Sequence, residues 1–301
     1  MVRNRSCHVA IGALVTACFG ISVSNVSLAA SAEIAFTSEL SGGLYVLNLG
    51  TLSMRRESLG LTAIGDLVYS APNKMLALSG SRRNDSQPSL FLLKWPGTKL
   101  QRIPYPKDGA PYRPQFDPAG KYLYAVNYGP EVFRYSLKSG DWTRIPVEGA
   151  QDLHTQEIAL APSGHLAAIS PADFKGFLIA EVAPDRFHVL RRVLADFNSS
   201  TAAHWIDDSH IVFLGRKTEG YQFAWSLNLA TGQLVQLTHL PLGTRDFLSL
   251  SRDGHSVVFT ASDTISPAEW TLWRLDLSGK EPTRLTHGSK DGPFLSPVFI
   301  E

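Results

Sequence analysis

One unit of roughly 45 residues recurs along this chain of 301, and a repeat of that length dictates architecture before any local feature does. Its marker is a tight polar turn, read five times: Ser70-Ala71-Pro72-Asn73-Lys74, Asp117-Pro118-Ala119-Gly120-Lys121, Ala161-Pro162-Ser163-Gly164-His165, Ile206-Asp207-Asp208-Ser209-His210 and Ser251-Arg252-Asp253-Gly254-His255. The closing residues are spaced by 47, 44, 45 and 45. Pro, Asp, Ser and Gly suit these turns because they preset or permit the backbone angles of a chain reversal. An apolar strand follows each turn, for example Met75 to Leu78 and Ile211 to Leu214. A third strand comes next (Leu90 to Trp95, Phe223 to Leu229), and a fourth, more polar one closes the unit (Trp142 to Val147, Leu234 to Thr238, Pro282 to Thr286). Four short strands per unit form the sheet of one β-propeller blade, and no stretch of helical period competes.

The two ends complete each other. The last segment, Phe294 to Glu301, reads as a first strand without its blade, whereas Glu33 to Ser38 reads as a second strand lacking a first. Pairing them removes an open sheet edge. The expected fold is therefore all-β: a six-bladed β-propeller of four-stranded antiparallel blades, the ring closed by pairing of the N- and C-terminal strands.

The leader has a different character. Arg3 and Arg5 precede an apolar run from about Val9 to Val23, and the small residues Ser27, Ala29, Ala30 and Ala32 follow. This is the layout of a secretory signal peptide over residues 1–32, cleaved near 29–32. The run is shorter than the roughly 20 residues of a spanning helix. Val15-Thr16-Ala17-Cys18 is similar to the lipobox of bacterial lipoproteins, which gives an alternative: an envelope lipoprotein anchored through Cys18. The mature chain, residues 33–301, is then one propeller domain, periplasmic or secreted, with no transmembrane segment and expected as a monomer. Both cysteines, Cys7 and Cys18, fall in the leader. The folded part thus has no disulfide, thiolate metal site or cysteine nucleophile. Of the 28 basic residues two are in the leader, leaving 26 against 27 acidic ones, so nothing favours nucleic acid as a partner.

Glu33-Ile34-Ala35-Phe36-Thr37-Ser38, Gly43-Leu44-Tyr45-Val46-Leu47-Asn48-Leu49, Ser251 to Thr260, Glu281 to His287 and Ser296-Pro297-Val298-Phe299 resemble the TolB-type propeller repeat. The resemblance covers most of the mature chain and implies the fold; the same repeat serves scaffolds, lyases and propellers attached to peptidases, so it does not imply one function. TolB carries an α/β domain ahead of its propeller where this chain has only its leader, so docking to the Tol–Pal envelope system is not implied as a whole. No Gly-x-Ser-x-Gly elbow of a peptidase partner occurs.

Superposing the units gives the functional candidates. The position three before the bulky residue of each first strand is Asp66, Arg113, Glu157, Ala202, Phe247 and Ser296. Such positions gather at one mouth of a propeller's channel, with His154, Gln156, Arg245 and Asp246 in the preceding loops. Mixed charge at a concave mouth suits a peptide end or a polar small molecule; the plainer reading is a set of solvated surface ion pairs. His154 and Glu157 are three apart, but on a strand they face opposite ways, so no metal site and no cofactor is expected. The tryptophans Trp95, Trp142, Trp225, Trp270 and Trp273 read as packing between blades. The leading expectation is a non-enzymatic scaffold that binds a protein or peptide partner in the cell envelope. The alternative is a metal-assisted lyase or hydrolase acting on a polar saccharide or lactone, with His154, Glu157 and Asp66 as ligands or bases.

Overall fold

The turns and apolar runs described above become strands in the computed structural model, which describes residues 32–38, 41–106, 109–127, 129–150, 154–239, 243–262, 270–279, 281–287 and 293–300, with backbone alone for 243–246. Residues 1–31 of the leader, with Cys7 and Cys18, lie outside the described residues. Among the described residues all regular structure is β. One sheet orders its strands β24-β1-β2-β3, drawn from Phe294–Ile300, Glu33–Ser38, Leu44–Asn48 and Met54–Glu57. The next runs β4 (Ala63–Ser70), β5 (Met75–Ser81), β6 (Ser89–Lys94) and β7 (Leu100–Arg102). Two further four-stranded sheets comprise β16 (Ser199–Asp207), β17 (His210–Arg216), β18 (Phe223–Asn228) and β19 (Leu234–Gln236), and β20 (Gly243–Leu250), β21 (Ser256–Ser262), β22 (Thr271–Asp276) and β23 (Thr283–Arg284).

The remaining strands depart from a pattern of separate four-stranded sheets. The units β8 (Tyr112–Phe116), β9 (Tyr122–Val126), β10 (Glu131–Ser136), β11 (Trp142–Glu148) and β12 (Thr155–Leu160), β13 (Leu166–Pro171), β14 (Phe177–Val182), β15 (Phe187–Val193) join into one eight-stranded sheet. The join is a parallel pair between the outer strands, Val147 with Phe187 and Glu148 with His188. At seven residues each, β11 and β15 outreach the other outer strands, and pairing them satisfies backbone groups that would otherwise form an edge. Phe187 is fully buried there and meets Tyr124 edge-on at 5.9 Å.

The outer strands β19 and β23 stop sooner than their sequences suggest. Thr238 Oγ1 accepts the Ala224 N–H at 2.9 Å and Thr286 Oγ1 accepts the Leu272 N–H at 2.9 Å, so each threonine side chain substitutes for the next ladder carbonyl.

Burial explains the stacking. Second strands such as β5 and β17 are buried on both faces, whereas the outer strand β11 alternates exposed and buried residues. Among the described residues apolar side chains form six clusters, each between consecutive four-strand units: Ala35 and Val298 with Leu78 and Phe91, Ala77 and Leu92 with Leu123 and Tyr135, Val126 and Ile145 with Ile158 and Phe187 within the eight-stranded sheet, and Phe36 and Phe294 with Val258 and Leu272 among them. Hydrogen bonds cross between sheets as well; Trp205 Nε1 donates to the Ala159 carbonyl at 3.0 Å in a buried contact. The chain ends meet in one sheet, β1 pairing antiparallel with β24 from Glu33–Ile300 to Ser38–Phe294. Trp142 and Trp225 pack edge-on against Phe133 and Phe197 of their own units and also adjoin the apolar clusters shared with the preceding units, which is the expected packing between units.

Candidate functional site

The first strand of each unit (β24, β4, β8, β12, β16, β20) contacts its counterpart in the next, β24 with β4, β4 with β8, and onward to β20 with β24. Between them runs a cavity of about 300 Å³. Asp66, Arg113, Glu157, Ala202, Phe247 and Ser296, the six superposed positions, all line it.

A shared irregularity puts them there. In each first strand the pairing register slips at this level: between Ile64 and Leu67, Tyr112 and Gln115, Thr155 and Glu157, Thr201 and His204, Thr244 and Leu248, and in β24 between the residues opposite Ala35 and Thr37. Such bulges bend a strand and re-aim its side chains. Gly65 allows one of them, because a Cβ there would stand 2.6 Å from Ser79 Oγ. In alternate strands the bulge forces a left-handed backbone: φ is +50° at Arg113, +50° at Ala202 and +48° at Ser296.

Bulging takes backbone N–H groups out of the ladder, and carboxylates of the preceding sheet accept them. Asp66 Oδ2 accepts the Arg113 N–H at 3.3 Å and also the Ser79 hydroxyl at 3.2 Å. Glu157 Oε2 accepts the Ala202 N–H at 2.9 Å and stands 3.5 Å from Arg113 Nη1. Asp66, Arg113 and Glu157 thus form one polar arc across three consecutive units, while Ala202 and Phe247 place apolar groups at the same level on the other side. They are not the solvated surface pairs of the plainer reading: the Arg113 and Glu157 side chains are only 18% and 22% exposed.

The other sequence candidates fall elsewhere. His154 is exposed and absent from the cavity lining. Gln156 is buried, its Oε1 accepting a hydrogen bond from the Tyr112 hydroxyl at 3.1 Å, and it serves the wall rather than the lumen. Arg245 and Asp246 lie in β20, and their side chains are outside the described residues. Superposition alone missed His204, Gln115 and Arg252, which also line the cavity. His204 and Gln115 follow Ala202 and Arg113 by two residues, so reading each strand one step further along the same face would have found them. Burial pushes the His204 imidazole down to about 4, partly offset by a hydrogen bond with the Leu248 backbone in the next sheet. It is neutral at neutral pH.

Ser209, His210 and Asp207 bring a hydroxyl, an imidazole and a carboxylate together in one exposed turn, but Asp207 and Ser209 both approach Nδ1 of His210, at 2.9 and 3.0 Å. That is not the arrangement of a nucleophile and its base, in which the two partners occupy different ring nitrogens. Among the described residues no three His, Cys, Asp or Glu side chains converge as a metal site would require.

No family model matches the chain, and no curated protein is similar to it in sequence. Solved structures are similar in fold. TolB from Acinetobacter baumannii aligns with a TM-score of 0.69 at 16% identity, over 89% of this chain and 66% of that one, so the chain spans just under two thirds of the TolB length. A chain of a nidogen–laminin complex gives 0.63 at 13% identity over 90% and 99% of the two chains. A putative 6-phosphogluconolactonase from Bacteroides uniformis gives 0.58 at 14% over 90% and 100%. At such identities the likeness is one of fold alone: the chain has a TolB-like β-propeller fold. Among the described residues no helix is long and apolar enough to cross a membrane.

Proposed function

We propose that this chain is an exported scaffold, a closed six-bladed propeller whose central channel binds a protein or peptide partner of the cell envelope. The cycle of contacts among the first strands and the pairing of β24 with β1 support six blades and a closed ring. The eight-stranded sheet then counts as two blades tied at their outer edge. Export rests on the leader alone, with periplasmic release, or anchoring through Cys18, decided by how that leader is processed.

One observation carries the binding reading: all six superposed positions surround a single concave space with a charged arc on one wall and apolar groups on the other. A peptide end, polar at its backbone and apolar at a side chain, matches that division. The saccharide or lactone reading has less support, because His154 is exposed and separate from the Asp66 and Glu157 carboxylates that line the cavity.

The test is capture of partners from envelope extracts by the wild type and by Arg113→Ala, with circular dichroism to confirm that both are folded. Arg113→Ala keeps the main-chain N–H that Asp66 accepts, so folding should survive while capture drops. Equal capture by both, or no specific capture by the wild type, would overturn the reading.

A further inference from the structure

The left-handed residues of the channel follow a rule with one exception. Going around the first strands, Arg113, Ala202 and Ser296 occupy alternate strands, β8, β16 and β24. The strand preceding each of them offers Asp66, Glu157 and Phe247 at the superposed position. Asp66 accepts the Arg113 N–H and Glu157 accepts the Ala202 N–H. Phe247 has no acceptor to offer Ser296.

Two features set the third place apart. Ser296 is 3% exposed and belongs to the cavity lining, and among the described residues its buried hydroxyl has no hydrogen-bond partner. The register also leaves Ser296 and Pro297 together opposite the single residue Phe36, the same two-against-one arrangement that frees the Arg113 N–H. A buried hydroxyl without an acceptor is costly and rare in native proteins.

We infer that the space beside Ser296 and Phe247 is a carboxylate subsite. A ligand carboxylate there accepts the Ser296 hydroxyl and main-chain N–H, completing with an external acid the pattern that Asp66 and Glu157 complete with internal ones. Phe247 adds an apolar neighbour, so the ligand is a carboxylic acid with an apolar or aromatic body: a free peptide C-terminus bearing an apolar side chain, or a small aromatic acid. This subsite rests on the channel being the binding face.

Calorimetric titration of the full chain with benzoate and with a short glycine peptide ending in phenylalanine tests it, each compared with its neutral amide. At least one free acid should bind and its amide should not; which acid binds tells the peptide source from the small-molecule one. Ser296→Ala should weaken that binding about tenfold or more, the loss of one hydrogen bond to a charged acceptor. The same variant should melt no lower than the wild type, because it removes an unpartnered buried hydroxyl and alanine already holds this conformation at position 202. Phe247→Glu, which restores an internal carboxylate, should abolish binding and raise the melting temperature. Failure of both acids to bind, or equal binding by Ser296→Ala, overturns the subsite. A partner captured through Arg113 yet indifferent to Ser296→Ala would remove this subsite and leave the channel reading intact, while benzoate binding with no captured partner would do the reverse.

Discussion

The Glu157 carboxylate accepts the main-chain N–H of Ala202 from the neighbouring sheet at 2.9 Å, and this bond joins two units 45 residues apart. A bulge with left-handed backbone leaves that N–H without a strand partner, and burying it unpaired would be costly. The carboxylate therefore acts on stability first and on ligand charge second.

Glu157→Ala should lower the unfolding free energy by about 1–3 kcal/mol, the cost of leaving a buried donor unsatisfied. Glu157→Gln keeps an acceptor oxygen and should cost less. Urea denaturation of the three proteins checks the order; an Ala variant as stable as the wild type would remove the latch from the account.

Removing residues 294–301 takes β24 away and exposes the whole of β1, whose residues after Glu33 are buried. Aggregation and loss of cooperative melting are expected. A truncated chain that melts as sharply as the intact one would contradict closure of the ring through its two ends.

His204 makes stability depend on mild acid. The unfolded chain takes up this proton near 6.5, but the folded protein does so only near 4. Between those values the unfolded state binds more protons, so the contribution of His204 is complete above about pH 6.5 and is lost as pH falls toward 4. His204→Gln should flatten the melting temperature across that window. A slope unchanged by the substitution would assign the acid response to other groups.

Gly176 and Gly164 both hold positive φ, +73° and +75°, but only Gly176 is crowded: a Cβ there would overlap the Val193 and Leu194 carbonyls, whereas Gly164 has open space. Gly164→Ala should cost about 1–2 kcal/mol from the backbone alone. Gly176→Ala should cost clearly more, and comparing their denaturation midpoints tests the difference.

Much of this architecture is legible in the chain. The turns at Lys74, Lys121, His165, His210 and His255 each precede a second strand, because Pro, Gly and Asp fix reversals locally and the apolar runs between them have strand length. The pairing of Glu33–Ser38 with Phe294–Ile300 follows from the same count. Less of the site is legible. Superposition brings Asp66, Arg113 and Glu157 to one cavity, but it does not separate His154 and Gln156 from the lumen, since whether a side chain faces channel or wall depends on a bulge that one inserted residue creates.

The sequence by itself determined the period, the all-β character and the residues at the channel level, all of them consequences of local turn chemistry and hydrophobic alternation. Only the tertiary structure decided that two carboxylates serve the neighbouring backbone, that β11 and β15 fuse two units and that the Ser296 hydroxyl finds no acceptor among the described residues. Those outcomes depend on how residues some 45 positions apart approach one another, and no local pattern carries that distance.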